Sequence, residues 1–204
     1  MSVKHLLDFI AKYESRGDYN VVWGGIKKVH RPPALVKMTI GQVLNWQDSI
    51  DHLYMSEAAG RYQIMEDTLR DLVAQGFADK AALFDEITQD QLAIALLKRR
   101  GLSSYLFGTI TAEKFANNIA KEWASMPVVS GPNKGRSYYA GDGLNKSHTP
   151  VADFMAAVEA VKSADFVRPD APPVPEPSIP VASVGLVAAI IAAVAAFFAI
   201  MKGG

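Results

Sequence analysis

The chain contains no cysteine, so neither a disulfide framework nor thiolate catalysis is open to it. That absence fits an intracellular setting or a periplasmic one that needs no staples. An excess of one charge is also missing. The 21 Lys and Arg balance 21 Asp and Glu, which offers no surface for nucleic acid and no electrostatic capture of a polyanion. The four histidines, His5, His30, His52 and His148, lack metal-ligand spacing, so neither a metal site nor any other cofactor is expected. The glycine-rich run Gly131-Pro132-Asn133-Lys134-Gly135-Arg136-Ser137 lacks the P-loop spacing and its Gly-Lys pair, and reads as a loop. Ser15 and Ser56 have no histidine at a spacing that suggests a serine triad. Strand patterns are scarce, the best being a small hairpin around residues 21–26. Lys4, His5, Asp8 and Lys12 interrupt the first helix, so no apolar core of a secretory signal is read there.

Apolar surface, by contrast, is plentiful. It makes up 50% of the 204 residues, enough for one sizeable core and a further segment. Most of it recurs at helical spacing. Thr39-Ile40-Gly41-Gln42 fits a capping box that opens a helix through Val43, Leu44, Trp46 and Gln47. A further helix spans about residues 67–75 and stops at Gly76. Over residues 88–100, Thr88 is the expected cap, Gln91 closes its box, Ile87 staples to Leu92, and Gly101 ends the helix. Thr111 caps the next one, with Phe115, Ile119 and Trp123 on one face before Pro127 forbids continuation. Thr149-Pro150 begins a last helix carrying Val151, Phe154, Met155, Val158 and Val161. The expected fold is therefore mostly α, a single globular domain over residues 1–166.

Beyond it the composition changes. Residues 167–180 hold a proline-rich stretch that cannot form a helix, and an extended polyproline spacer there would reach roughly 40 Å. Residues 181–201 are uncharged and almost wholly apolar, the length that spans a hydrocarbon core, and are expected to form a C-terminal transmembrane anchor in a lipid membrane ahead of a short tail at 202–204. Gly185, Ala189 and Ala193 repeat at four-residue spacing, which would let two such helices self-associate.

The residues that carry chemistry lie near the start. Val3, Leu6, Leu7, Phe9, Ile10 and Tyr13 give a short helix one apolar face, and Glu14 follows directly on it. Ser15-Arg16-Gly17-Asp18 reads as the helix stop. A carboxyl beside apolar and aromatic groups is partly desolvated, which disfavours its charged form and raises its pKa, the property a general acid near neutral pH needs. The bland alternative is a solvated glutamate at a fraying helix end. Elsewhere the chain offers flat rings and amides, side chains that suit a sugar's apolar faces and hydroxyls: Tyr19, Asn20, Trp23, Trp46, Gln47, Tyr62, Gln63, Tyr138 and Tyr139. Trp123, on an apolar stripe, is the first of the aromatics to assign to the core instead.

Four blocks then occur in a telling order: Tyr13-Glu14-Ser15; Ala59-Gly60-Arg61-Tyr62-Gln63-Ile64-Met65; Phe84-Asp85 with Gln89-Asp90-Gln91-Leu92-Ala93 and Arg100-Gly101; and Trp123-Ala124-Ser125-Met126-Pro127. Over residues 3–166 the chain resembles the lambda-type phage endolysins, with wider kinship to the soluble lytic transglycosylases. That resemblance implies a lysozyme-like α+β fold and cleavage of the β-1,4 bond between N-acetylmuramic acid and N-acetylglucosamine in peptidoglycan glycan strands. It implies that Glu14 is the catalytic acid, with Ser15, Tyr62 and Gln63 near the substrate. Two endings are then open. A transglycosylase lets the muramic C6 hydroxyl close a 1,6-anhydro ring, whereas a muramidase uses water and a second carboxylate. The first is favoured because the resemblance supplies only one catalytic carboxylate. Glu57 departs from the family pattern and is the main candidate for a second acid, ahead of Asp18, Asp48 and Asp51. An anchored domain that acts on the periplasmic wall leaves two roles open, wall penetration by a virion protein and lysis late in infection. A non-catalytic, membrane-anchored wall-binding protein and, behind it, a holin-like pore are the readings from other classes.

Overall fold

The computed structural model describes residues 3–141 and 145–165. The spacer, the anchor with its self-association, and the tail expected over residues 167–204 lie outside the described residues. Among the described residues no helix is long and apolar enough to cross a membrane.

Seven helices are described: α1 (Val3–Glu14), α2 (Ile40–Ile50), α3 (Glu66–Ala74), α4 (Glu86–Arg99), α5 (Leu102–Leu106), α6 (Ala112–Ile119) and α7 (Val151–Asp165), with single 3-10 turns at Lys28–His30, Leu35–Lys37 and Asp51–Leu53. Extended pairing among the described residues is limited to isolated antiparallel bridges. The fold is thus mostly helical with little strand, as the sequence predicts.

Burial explains the arrangement. Leu6, Leu7, Ile10 and Ala11 form the buried face of α1, which packs against α7 and α4. Leu92, Ala93, Leu96 and Leu97 of α4 lie at the centre of the same core as Phe115 of α6 and Phe154 and Val158 of α7. Phe9 stacks on Phe154 with ring centroids 6.2 Å apart. Each fully buried side chain of this size contributes roughly 1.5–3 kcal/mol, so α1 is fixed along its length. Its last residue is fixed with it.

The helix caps follow the sequence in part. Thr39 and Gln42 form the complete capping box of α2, and Thr111 caps α6 through the Lys114 N–H. Helix α4 begins earlier than predicted. Asp85, not Thr88, is its cap, accepting the Thr88 N–H at 2.8 Å. Ile87 is 69% exposed and staples nothing. An aspartate two positions before Ile87 offers a charged acceptor to the helix N-terminus and outcompetes the threonine. Helix α6 stops at Ile119, so Trp123 lies in the turn beyond it rather than on its stripe, although it is buried. The expected hairpin at residues 21–26 does not form. Val22 instead bridges Ala59, and the Gly60 N–H reaches Val21 O at 2.7 Å. Pro32 and Pro33 follow closely and lack the donors that a returning strand requires.

Candidate active site

Helix α1 ends on Glu14. Beyond it the chain turns sharply: the Ser15 and Gly17 amides both return to Ala11 O, at 2.9 and 3.1 Å. Arg16 (φ +57°) and Gly17 (φ +86°) take left-handed conformations that hold the turn. The buried face of α1 thereby points the Glu14 carboxyl into a cleft of about 610 Å³. Tyr13, Trp23, Gln63, Trp123 and Ser125 line it beside Glu14, Met55 and Met65 add apolar wall, and Arg99, Arg100, Lys121 and Lys146 give it a cationic side.

Glu14 is partly buried. Desolvation raises its pKa above the ordinary carboxylate value, and the hydrogen bonds from the side chain and backbone of Ser125 oppose that rise. Ser125 Oγ–H donates to Glu14 Oε1 at 2.5 Å. The cleft's other described carboxylate is Glu122, whose side chain is 6% exposed and faces two arginines. Arg99 meets its two oxygens at 2.9 and 3.1 Å, and Arg100 Nε meets Oε2 at 2.6 Å. Those bonds neutralise it and fix both its oxygens.

A carboxyl of raised pKa thus stands in the cleft, at the end of the first described helix of a mostly helical domain. A family model for endolysins matches residues 12–150, about two thirds of the chain. The chain belongs to the endolysin family. It is a phage-type enzyme that degrades peptidoglycan. Searches of curated proteins and of solved structures return no match.

In this endolysin the residues nominated from sequence part company. Glu14, Gln63 and Tyr139 line the cleft together. Gln63 does so at a left-handed φ of +48°, its amide donating to Gly60 O and Val21 O at 2.8 and 3.2 Å. Tyr139 donates to Lys121 O at 2.8 Å. Tyr138 lies outside the cleft lining, edge-on to Tyr139.

The others sit elsewhere, each with a structural partner. Ser15 is buried, donating to Ala11 O and accepting the Gly17 N–H. Tyr62 is 1% exposed, and its hydroxyl donates to Asp90 Oδ1 at 2.7 Å. Tyr19 donates to the same oxygen at 3.0 Å, beneath the Arg61 guanidinium. Burial and Asp90 push its hydroxyl pKa up to about 12. Asn20 Oδ1 accepts the Val36 N–H. Trp46 donates to His30 O at 2.8 Å. Gln47 is fully buried and ties Glu57 O to Ile64 O. The Glu57 carboxylate faces the start of α3, where it accepts the Glu66 N–H at 3.1 Å. An anion at a helix N-terminus is well placed electrostatically, and there Glu57 is outside the cleft lining.

Ser125, Glu122 and the two arginines were not singled out from sequence. Ser125 and Arg100 had a signal, since they fall within the Trp123–Pro127 and Arg100-Gly101 blocks. Nothing local marks Glu122.

Proposed function

We propose that this endolysin is a lytic transglycosylase that cuts the β-1,4 bond between N-acetylmuramic acid and N-acetylglucosamine, with Glu14 as both acid and base. Protonated Glu14 gives its proton to the glycosidic oxygen while the bond from that oxygen to muramic C1 breaks, its electron pair staying on the oxygen. The resulting carboxylate takes the proton of the muramic C6 hydroxyl, whose oxygen bonds to C1 and closes the 1,6-anhydro ring. Water is not consumed.

The observation that carries this is the state of the cleft's carboxylates. Glu14 is held above the usual carboxylate pKa by burial, as a general acid requires. Glu122 is bound by Arg99 and Arg100, and Glu57 is bound to α3. With both Glu122 oxygens taken by arginines and Glu57 outside the cleft lining, neither is placed to position water or to form a glycosyl intermediate, the two tasks a hydrolase gives its second carboxylate. Trp23 and Tyr139 would face the sugar rings, and Gln63 the hydroxyls and acetamido groups. The apolar segment at residues 181–201 would tether the enzyme at a membrane, on the proline-rich spacer before it.

The test is to incubate the full chain and its Glu14→Gln variant with purified peptidoglycan and identify the fragments by mass spectrometry. Anhydro-muramic ends, lost in the variant, are the expected result. Reducing ends would mean that water attacks. Fragments from neither protein would leave a wall-binding protein without activity.

A further inference from the structure

Ser125 is held from several sides at once. Its Oγ–H donates to Glu14 Oε1. Its carbonyl oxygen accepts two hydroxyls, from Ser147 at 2.8 Å and Thr149 at 2.9 Å, both on the strap that leads into α7. Just before it, Trp123 is 3% exposed and donates its indole N–H to Tyr62 O at 3.1 Å. Just after it, Met126 is fully buried, with its amide on Trp123 O at 3.0 Å. A serine needed only to fill space would not require both its hydroxyl and its carbonyl to be fixed by two distant parts of the chain.

We propose that Ser125 is a positioning residue for Glu14: by holding Oε1 it leaves Oε2 as the oxygen that gives and takes back the catalytic proton, and the Ser147–Thr149 strap holds Ser125 in register. The proposal rests on Glu14 being the acid and base. With Oε1 accepting the Ser125 hydroxyl, the carboxyl's own proton is favoured on Oε2. When that proton passes to the glycosidic oxygen, negative charge appears on the carboxylate. The bond from Ser125 then becomes charge-assisted and about twice as strong. It therefore stabilises Glu14 most in the state reached during bond cleavage, and it counteracts the burial that keeps Glu14 protonated beforehand. The other titratable groups lining the cleft with Glu14 are Tyr13 on its own helix, Arg99 and Arg100 at the end of α4, Lys121 and Glu122 beyond α6, and Tyr139 and Lys146 in the last loop. Replacing Ser125 leaves all of them in place, so a displaced pH profile reports the lost hydroxyl.

The experiment measures kcat and KM against pH on purified peptidoglycan for the full chain and for Ser125→Ala, Ser125→Thr, Thr149→Val and Glu14→Gln. In Ser125→Ala, kcat falls roughly ten- to a hundredfold, as expected for losing one hydrogen bond to a charge, with little change in KM. Its basic limb moves to higher pH, because Glu14 keeps its proton longer. Ser125→Thr retains a hydroxyl and restores the limb. A Ser125→Ala limb at the wild-type position, whatever the rate, would overturn the proposal and leave Ser125 a packing residue. If Ser125→Ala does not fold, Thr149→Val carries the test. Loosening the strap moves the limb in the same direction if the strap positions Ser125, and an unmoved limb overturns the proposal. Full activity in Glu14→Gln would instead refute the assignment of Glu14 on which the proposal rests.

Discussion

Gly60→Ala tests how the loop beside the cleft is built. Gly60 has φ +77°, and a β-carbon added there would overlap Gln89 Oε1 and come within 2.9 Å of Phe84 Cε1. Neither neighbour can retreat easily. Phe84 is fully buried, and so is Gln89. The Gln89 amide makes three backbone bonds: Oε1 accepts the Arg61 N–H at 2.8 Å, and Nε2 donates to Tyr19 O at 3.1 Å and Phe84 O at 2.9 Å. The left-handed backbone costs an alanine about 1 kcal/mol or slightly more. Displacing Gln89 breaks at least one buried hydrogen bond and leaves its partner unsatisfied, which costs about 1–3 kcal/mol more. The expected loss is therefore roughly 3 kcal/mol, a large share of the 5–15 kcal/mol that typically holds a domain folded.

Urea unfolding of the full chain, comparing midpoints at constant slope, measures this directly. Gly76→Ala provides the control. Gly76 has φ +80°, but a β-carbon there meets nothing within 4 Å, so it isolates the conformational part, about 1 kcal/mol. A Gly60→Ala loss equal to that of Gly76→Ala would show that Gln89 moves aside freely, and the account of the loop as pinned would be wrong. Catalysis should suffer as well. Arg61 follows Gly60 and reaches α1 at Asp8 Oδ1, 2.6 Å away, and the turn after α1 at Gly17 O, 3.1 Å away. A disturbed loop thus disturbs the helix that carries Glu14.

Glu14→Gln should lower kcat by roughly 10²–10⁴, as measured by fragment release from peptidoglycan. It should also raise thermal stability at neutral pH. A carboxyl whose folded pKa exceeds its unfolded one holds its proton longer in the native state, so wild-type stability falls as pH rises from the ordinary carboxylate range through the folded pKa. The gap in Tm between variant and wild type should therefore close as pH falls back to that range, and a gap independent of pH would contradict the burial. Tyr62→Phe removes one of two hydroxyls from Asp90 and should cost about 1–2 kcal/mol in urea unfolding while leaving KM unchanged. Glu122→Gln removes the negative charge and one of the two accepting oxygens that Arg99 and Arg100 share, and should cost roughly 1–3 kcal/mol, less than for a fully buried pair because the arginines are about 30% exposed. Its products should still carry anhydro ends, and their loss with folding intact would make Glu122 part of the chemistry.

The features legible in the sequence are those set by neighbours along the chain. Helix α1 and its stop follow from apolar spacing and a short polar turn, and the caps at Thr39 and Thr111 from hydroxyls that accept the backbone N–H three residues on. Where two local signals compete, as Asp85 and Thr88 do at the start of α4, pattern alone picked the wrong one. The hairpin at residues 21–26 failed for a different reason. Its pairing partner is Ala59, in a loop more than thirty residues on, and no local pattern announces it. The same limit separates the nominated sugar contacts from the cleft. A tyrosine's composition says that it can stack and hydrogen-bond, but not that Tyr62 and Tyr19 will both turn inward to Asp90. Ser125 lies 111 residues from the carboxyl it touches.

The Gly60–Gln63 stretch acts on the reaction mainly through the fold. It resembles a cleft motif, yet Gly60 packs on Gln89, Arg61 ties down α1, and Tyr62 anchors to α4. Only Gln63 lines the cleft, and its amide nitrogen serves the loop. A stretch that holds α1 to the core would affect the proposed reaction through the position of Glu14. Substitutions there should therefore show first in stability and in kcat, whereas changes at Trp23 or Tyr139, which face the cleft, should show in KM. A Tyr62→Phe variant that raised KM with stability intact would reverse that division and return Tyr62 to the substrate.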